Sequence, residues 1–177
     1  MKTISKSFLC LFSLSALFFA CDSTEDPVAQ QPILGVWSEV GDGVFKLTLN
    51  NEEVTLEEFG VTVFGYNEET AEDEARTYLY DNVMGPLRLD ADLEIKSNNS
   101  FAVLSDETIE GSWQLYNDGA RLRLQAQGFA LEQYEFDVVT LTCTQLKLKF
   151  EATIEVIGTD LTYDYKVEID LVKPGCL

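Results

Sequence analysis

The sequence predicts an all-β domain, an antiparallel meander of about eight to ten strands closed into a barrel, and three observations carry that expectation. Apolar residues fall at every second position through most of the chain beyond residue 33, the mark of strands with one buried face. Short turn-forming pairs and triplets separate these runs. Pairing outward from each turn sets apolar residues opposite apolar residues, so turn chemistry and side-chain pattern agree.

Taken in order, the first strand centres on Trp37, and a Gly41-Asp42-Gly43 loop would pair Trp37 with Leu47. The alternation changes phase at Glu57 and Glu58, between Val54/Leu56 and Phe59/Val61/Val63, which reads as a bulge. Residues 67–80 carry helix formers and no alternation, predicting a short acidic helix or a mobile loop over one barrel mouth. Leu87, Leu89, Ala91, Leu93 and Ile95 alternate strictly as one strand. The triplet Ser97-Asn98-Asn99 sets Ile95 against Phe101, with an asparagine available for a left-handed turn position, and Ser105-Asp106-Glu107 sets Val103 against Ile109. Asp118-Gly119 suits a type I′ turn that opposes Leu115 with Leu122 and Trp113 with Leu124. Gly158-Thr159 suits a type II′ turn that opposes Phe150 with Val167. Closure removes the sheet edges that so many strands would otherwise expose; two packed sheets, a β-sandwich, are the alternative. A transmembrane barrel is disfavoured because one face of the strands carries the charges.

The N-terminus has Lys2 and Lys6, then an uncharged stretch over residues 8–20, then Cys21. As a helix this stretch spans roughly 20 Å, short of the ~30 Å of a bilayer core, so it reads as a signal peptide. The run Leu17-Phe18-Phe19-Ala20-Cys21 resembles the lipobox of bacterial lipoprotein precursors. That resemblance implies cleavage before Cys21, lipid on Cys21, and a protein of the cell envelope held to a membrane, the outer membrane, on its periplasmic or outer face. The division that follows is a signal peptide at 1–20, a polar lipidated tether at 21–33 and one β domain at 34–177. The full chain has 12 Lys+Arg against 31 Asp+Glu, and loss of Lys2 and Lys6 takes its net charge from −19 to −21. So acidic a surface repels phosphate backbones and argues against nucleic acid as a partner.

Gly35-Val36-Trp37 in the first strand looks like the Gly-x-Trp signature of lipocalins, in which the tryptophan closes one barrel end, and Gly111-Ser112-Trp113 is a second copy in mid-chain. With the hairpins above, the run from Leu34 to Val172 is similar to lipocalin-like domains of Bacteroidetes lipoproteins. The resemblance implies a barrel that holds a small hydrophobic ligand. A Thr-Asp-Tyr loop and a final-strand arginine, with which typical lipocalins cap the barrel, are not matched here. Glycine at either copy permits a bend or close packing, and each tryptophan buries a large ring. Trp37, Phe101, Trp113, Tyr134, Phe136, Phe150, Tyr163 and Tyr165 should face the interior, where they either fill the core or surround a ligand.

The chain contains no histidine, which removes the commonest general base and the usual catalytic zinc ligand. Hydrolase triads, phosphate loops and EF-hand spacing are missing as motifs, so no catalytic residue, metal site or cofactor is assigned and the expectation is a non-enzyme. Asp90, Asp92 and Glu94 share one strand face, and Glu68, Glu69, Glu72, Asp73 and Glu74 cluster downstream of residue 66; both groups read as solvated faces. Of four cysteines, Cys10 lies in the leader, Cys21 takes lipid, and Cys143 and Cys176 fall as diagonal neighbours of the last hairpin, close enough for a disulfide in an oxidising compartment. Three function classes follow, in this order: a lipid-anchored carrier of a small apolar molecule, an envelope scaffold or surface module that binds a protein partner, and a carboxylate-based hydrolase of sugars, which needs two acids facing one another in a cleft.

Overall fold

The computed structural model describes residues 32–40, 45–87, 91–105, 108–156 and 159–175. Among the described residues ten strands form one antiparallel sheet: β1 (Gly35–Glu39), β2 (Phe45–Leu49), β3 (Glu52–Glu53), β4 (Asp92–Ile95), β5 (Ser100–Leu104), β6 (Ile109–Tyr116), β7 (Arg121–Ala126), β8 (Gln133–Leu141), β9 (Gln145–Glu155) and β10 (Thr162–Val172). Strands β4 to β10 follow one another as an up-and-down meander, β1 joins β4, and β1 also pairs with β10. The ring of eight is thereby closed, a barrel rather than a sandwich.

The strand registers are those expected from pairing outward from the turns, although residues 106, 107, 157 and 158 of two of those turns lie outside the described residues. Phe150 opposes Val167, Leu115 opposes Leu122, Trp113 opposes Leu124, Ile95 opposes Phe101 and Val103 opposes Ile109. Asn99 takes the left-handed conformation expected of it, with φ 61°. At the β6–β7 turn Asn117 joins Asp118 and Gly119 at positive φ, so the left-handed stretch is one residue longer than a simple type I′ pair. A bulge at Val139 shifts the β8–β9 register between Val138 and Thr140.

The strand expected over 87–95 is β4 from Asp92 onward: Leu87 N bonds instead to Met84 O at 3.0 Å in the turn that ends the helical segment, and 88–90 lie outside the described residues. Two further expectations are corrected. Trp37 does not oppose Leu47, because β1 and β2 are not a hairpin. Both run along the same edge of β10, β1 at Leu171 and Val172, β2 from Tyr165 to Ile169. They act as one interrupted strand, joined through the backbone bond from Val40 N to Asp170 O. Gly41-Asp42-Gly43 lies outside the described residues, and the strands on either side of it run in the same direction along β10.

The phase change at Glu57 and Glu58 is likewise no bulge but a helix. Thr55 caps it: its hydroxyl accepts from Glu58 N, and Glu58 returns the bond to Thr55 N. Helix α1 (Leu56–Phe59) runs into a π-helical turn, Gly60–Phe64. The acidic segment that follows forms helix α2 (Ala71–Leu79) and a second π-helical turn, Tyr80–Met84. Ala71, Ala75, Leu79 and Val83 repeat every four residues and are all buried, so this stripe seats the helix. Glu72, Asp73 and Glu74 lie on its exposed first turn, where the helix dipole favours negative charge.

Candidate functional site

By the strand registers, the starts of β1, β5, β7 and β9 and the ends of β4, β6, β8 and β10 lie at one mouth of the barrel. There Trp37 is fully buried and its indole N–H donates to Ile33 O at 2.7 Å. Lys173, just past β10, lies over the Trp37 ring with Nζ 4.7 Å from its centre, and donates to Pro32 O and Leu34 O at 2.7 and 2.6 Å. One cation thus ties the incoming chain to the outgoing one across the tryptophan. Burial lowers the Lys173 ammonium below the ordinary lysine value. The signals for Lys173 in the sequence are its charge and its position just beyond the alternating run of β10. Trp113, on β6 three strands round the barrel from β1, is buried and donates to Lys96 O at 2.9 Å.

The opposite mouth is filled by the helical segment between β3 and β4. Phe59 is fully buried and packs on Tyr165 from β10 at 5.7 Å, Phe64 at 5.7 Å and Tyr78 at 6.4 Å between ring centres. Tyr134 at the start of β8 donates to Asp81 O at 2.8 Å, which joins the barrel wall to the second π-helical turn. Gly85 passes against the Tyr134 ring so closely that a Cβ there would stand 2.4 Å from it. Burial raises the Tyr134 phenol above its ordinary value, and burial together with a Tyr78 hydrogen bond raises that of Tyr165.

Between the mouths the interior is occupied by side chains. Phe101, Phe136, Leu122, Leu124, Leu146 and Leu148 are fully buried, and Tyr134 and Tyr165 nearly so, while Phe150 and Tyr163 are half-buried and pack on the same core. The eight aromatic residues expected to face inward therefore belong to one packed core. Gly111 fits as a close-approach glycine: a Cβ there would lie 2.3 Å from Gln125 O and 2.5 Å from the Phe101 ring. Gly35 has φ +125° and abuts the Lys173 side chain.

The outer face of β7 to β10 carries a ladder of ion pairs. Arg123 donates twice to Glu135, at 2.7 and 2.9 Å. Arg121 reaches Asp137 at 3.3 Å, and Lys149 reaches Glu151 at 3.2 Å and Asp137 at 3.7 Å. These pairs are partly exposed and individually weak, and they leave the rest of the surface strongly acidic. Asp92 and Glu94 lie half-exposed on β4, Glu94 beside Lys96 at 3.3 Å, and the 68–74 acids line the helical segment facing solvent. Among the described residues no group of three or more metal-ligating side chains converges. Asp90, Cys21 and Cys176 lie outside the described residues. Cys143 sits in the turn between β8 and β9, and Lys173 N bonds to Thr144 O at 3.1 Å, so the register carries position 143 opposite 174.

Neither a protein-family model nor a curated protein matches the chain. The concavities lined by described residues include open grooves on the outer face. One, of about 420 Å³, lies over β2, β9 and β10 and is lined by Thr48, Asn51, Glu151, Thr153, Asp164 and Lys166.

Proposed function

We propose that this chain is a lipid-anchored lipoprotein of the bacterial cell envelope whose lipocalin-like barrel is non-catalytic and recognises its partner through the outer surface. The observation that carries the second half is the doubly closed, side-chain-filled interior: Trp37 and Lys173 at one mouth, Phe59 and Tyr134 at the other. A carrier of the lipocalin type needs room inside, so this filling favours the scaffold class over transport of a small hydrophobic ligand. The anchoring half rests on the leader, on Cys21 and on the polar tether. Because the domain begins at the Trp37 mouth, such an anchor would hold that mouth toward the membrane and turn the acidic helical segment away from it. A Cys143–Cys176 disulfide, stapling the C-terminus beside Lys173, belongs to the same reading and suits an oxidising compartment.

Native mass spectrometry of protein extracted from membranes tests both halves. The expected mass is the chain from Cys21 onward with acyl groups added and nothing else retained. An unacylated mass, or an apolar molecule held one per chain, would overturn the corresponding half.

A further inference from the structure

We propose that the cleft between β8 and β9 takes up an extended basic peptide of a partner protein, which adds a strand to the free edge of β9; the inference deepens the outer-surface reading and rests on it. The ladder that joins β8 to β9 runs from Leu141 and Leu146 to Asp137 and Lys149 and ends there. Beyond that pair β9 continues to Glu155 on β10 alone, and β8 reaches back to Gln133 on β7 alone. The two strands therefore part toward the helical mouth.

Backbone direction fixes what the parting leaves open. Val156 N donates to Leu161 O on the β10 side, while Gln145 O accepts from Thr142 N on the β8 side. By alternation along the unbroken β9–β10 register, the N–H and C=O groups of Glu151, Thr153 and Glu155 point into the cleft, past the last β8 pair. An edge of this kind, with neither proline nor glycine over 150–155, is a template for another strand. The side chains agree. Leu146 and Leu148, inside the ladder, are fully buried, whereas Phe150, Ala152 and Ile154 on the same inward face are only partly buried. An added strand would cover them.

The cleft encloses about 410 Å³, with Val83 of the second π-helical turn, Leu131, Tyr134 and Phe150 in its lining, and Leu131 is 41% exposed. A strand laid on β9 turns every second side chain toward this apolar floor and the others outward. Charge chooses the occupant. The cations of the rim are engaged, Arg121 with Asp137 and Lys149 with Glu151. Glu132 and Glu155, toward the open end, make no ion pair among the described residues. On a chain of net charge −19, lysine or arginine in the outward row of the peptide meets these acids. A second copy is the wrong occupant: pairing two β9 edges about Thr153 sets Glu151 of each against Glu155 of the other, and like charges directly opposite repel.

The test is an NMR titration of the mature chain carrying Cys21→Ser, which takes no lipid, needs no detergent and keeps every described residue. The probes are heptapeptides that alternate lysine with valine, leucine or phenylalanine. At least one should shift the amides of Glu151, Thr153 and Glu155 saturably and slow their hydrogen exchange, while its glutamate counterpart does not bind. N-methylation of one alternate row of peptide nitrogens should weaken binding about tenfold or more, and Glu155→Lys should weaken it about two- to fivefold. Silence from all three lysine peptides, shifts centred elsewhere, or binding that N-methylation of either row leaves intact overturns the cleft assignment alone. A dimer of the chain held through the same three amides would overturn the peptide as occupant. An apolar molecule retained one per chain, with no peptide bound, would overturn the outer-surface reading as well.

Discussion

Replacing Phe59 by alanine tests whether the helical segment is an integral wall of the core or a detachable lid. The ring is fully buried against Tyr165, Phe64 and Tyr78. A phenylalanine so placed removes roughly 150–250 Å² from water, worth about 4–6 kcal/mol at 25 cal/mol per Å², of which alanine's methyl retains about 1. The expected loss is therefore about 3–5 kcal/mol, in the range of Phe→Ala changes in well-packed cores. With a urea m-value near 2 kcal/mol/M, the midpoint should fall by about 1.5–2.5 M. Tryptophan fluorescence is the apt probe, because Trp37 closes the mouth opposite Phe59 and Trp113 hangs its indole on Lys96 near that same end. A lid that opens independently would lose its own packing without moving the transition these two rings report. A fluorescence midpoint within about 0.3 M of wild type would refute the claim that the segment and the barrel share one cooperative core.

Three further outcomes follow from particular contacts. Gly111→Ala drives a Cβ to 2.3 Å from Gln125 O, whereas Gly65→Ala meets nothing within 4 Å and suffers only its φ of +68°. Urea midpoints should therefore place the first about 1–3 kcal/mol or more below wild type and the second about 1, and the reverse order would refute the packing account. Arg123 first, and the Tyr116 hydroxyl second, hold the Glu135 carboxyl below its ordinary value of 4.5. Its contribution is then present above that ordinary value and is lost as pH falls through the depressed one. Wild type should exceed Glu135→Gln in stability at pH 7, and the gap should close as the pH falls through the depressed value; a gap of unchanged size throughout an acid titration would refute the assignment. Cys143→Ser should cost about 3–4 kcal/mol under oxidising conditions, from opening a loop of roughly 33 residues, and nothing in the presence of a thiol reductant. Equal midpoints for the two proteins without reductant would remove the disulfide from the proposal.

The barrel was legible where local rules and distant packing coincide. Along β9 and β10, Leu146, Leu148 and Phe150 alternate with Lys147 and Lys149, the turn supplies a glycine, and one register satisfies both. Two of the failures came where several structures share one local pattern. Gly41-Asp42-Gly43 between apolar runs looks the same whether the chain reverses or merely steps along β10, and only the distant edge of β10 decides. Phe59, Val61 and Val63 alternate like a strand, yet Phe59 and Val63 also stand four apart, and the Thr55 to Glu58 capping box favours the helix. The series Ala71, Ala75, Leu79, Val83 was the available sign that the acidic segment has a buried face. Of the candidate site, the aromatic residues were legible as inward-facing, but whether they fill or surround depends on their summed volume, which periodicity does not contain.

The interrupted first strand also explains why the helical segment sits where it does. Strand β4 meets β1 only over Gly35 to Trp37, while β2 continues along β10 toward the other mouth with the two-residue β3 on its free side. Phe45, Leu47 and Leu49 point inward from β2, and all three are buried. No strand between β2 and β4 completes the wall among the described residues, so the cover for these side chains has to come from elsewhere. The chain connecting β3 to β4 supplies it with Phe59, Val63, Leu79, Val83 and Met84, which join the same core. A barrel split in this way needs its helical segment to exclude water, which is why removing one ring there should unsettle the tryptophans at the far end.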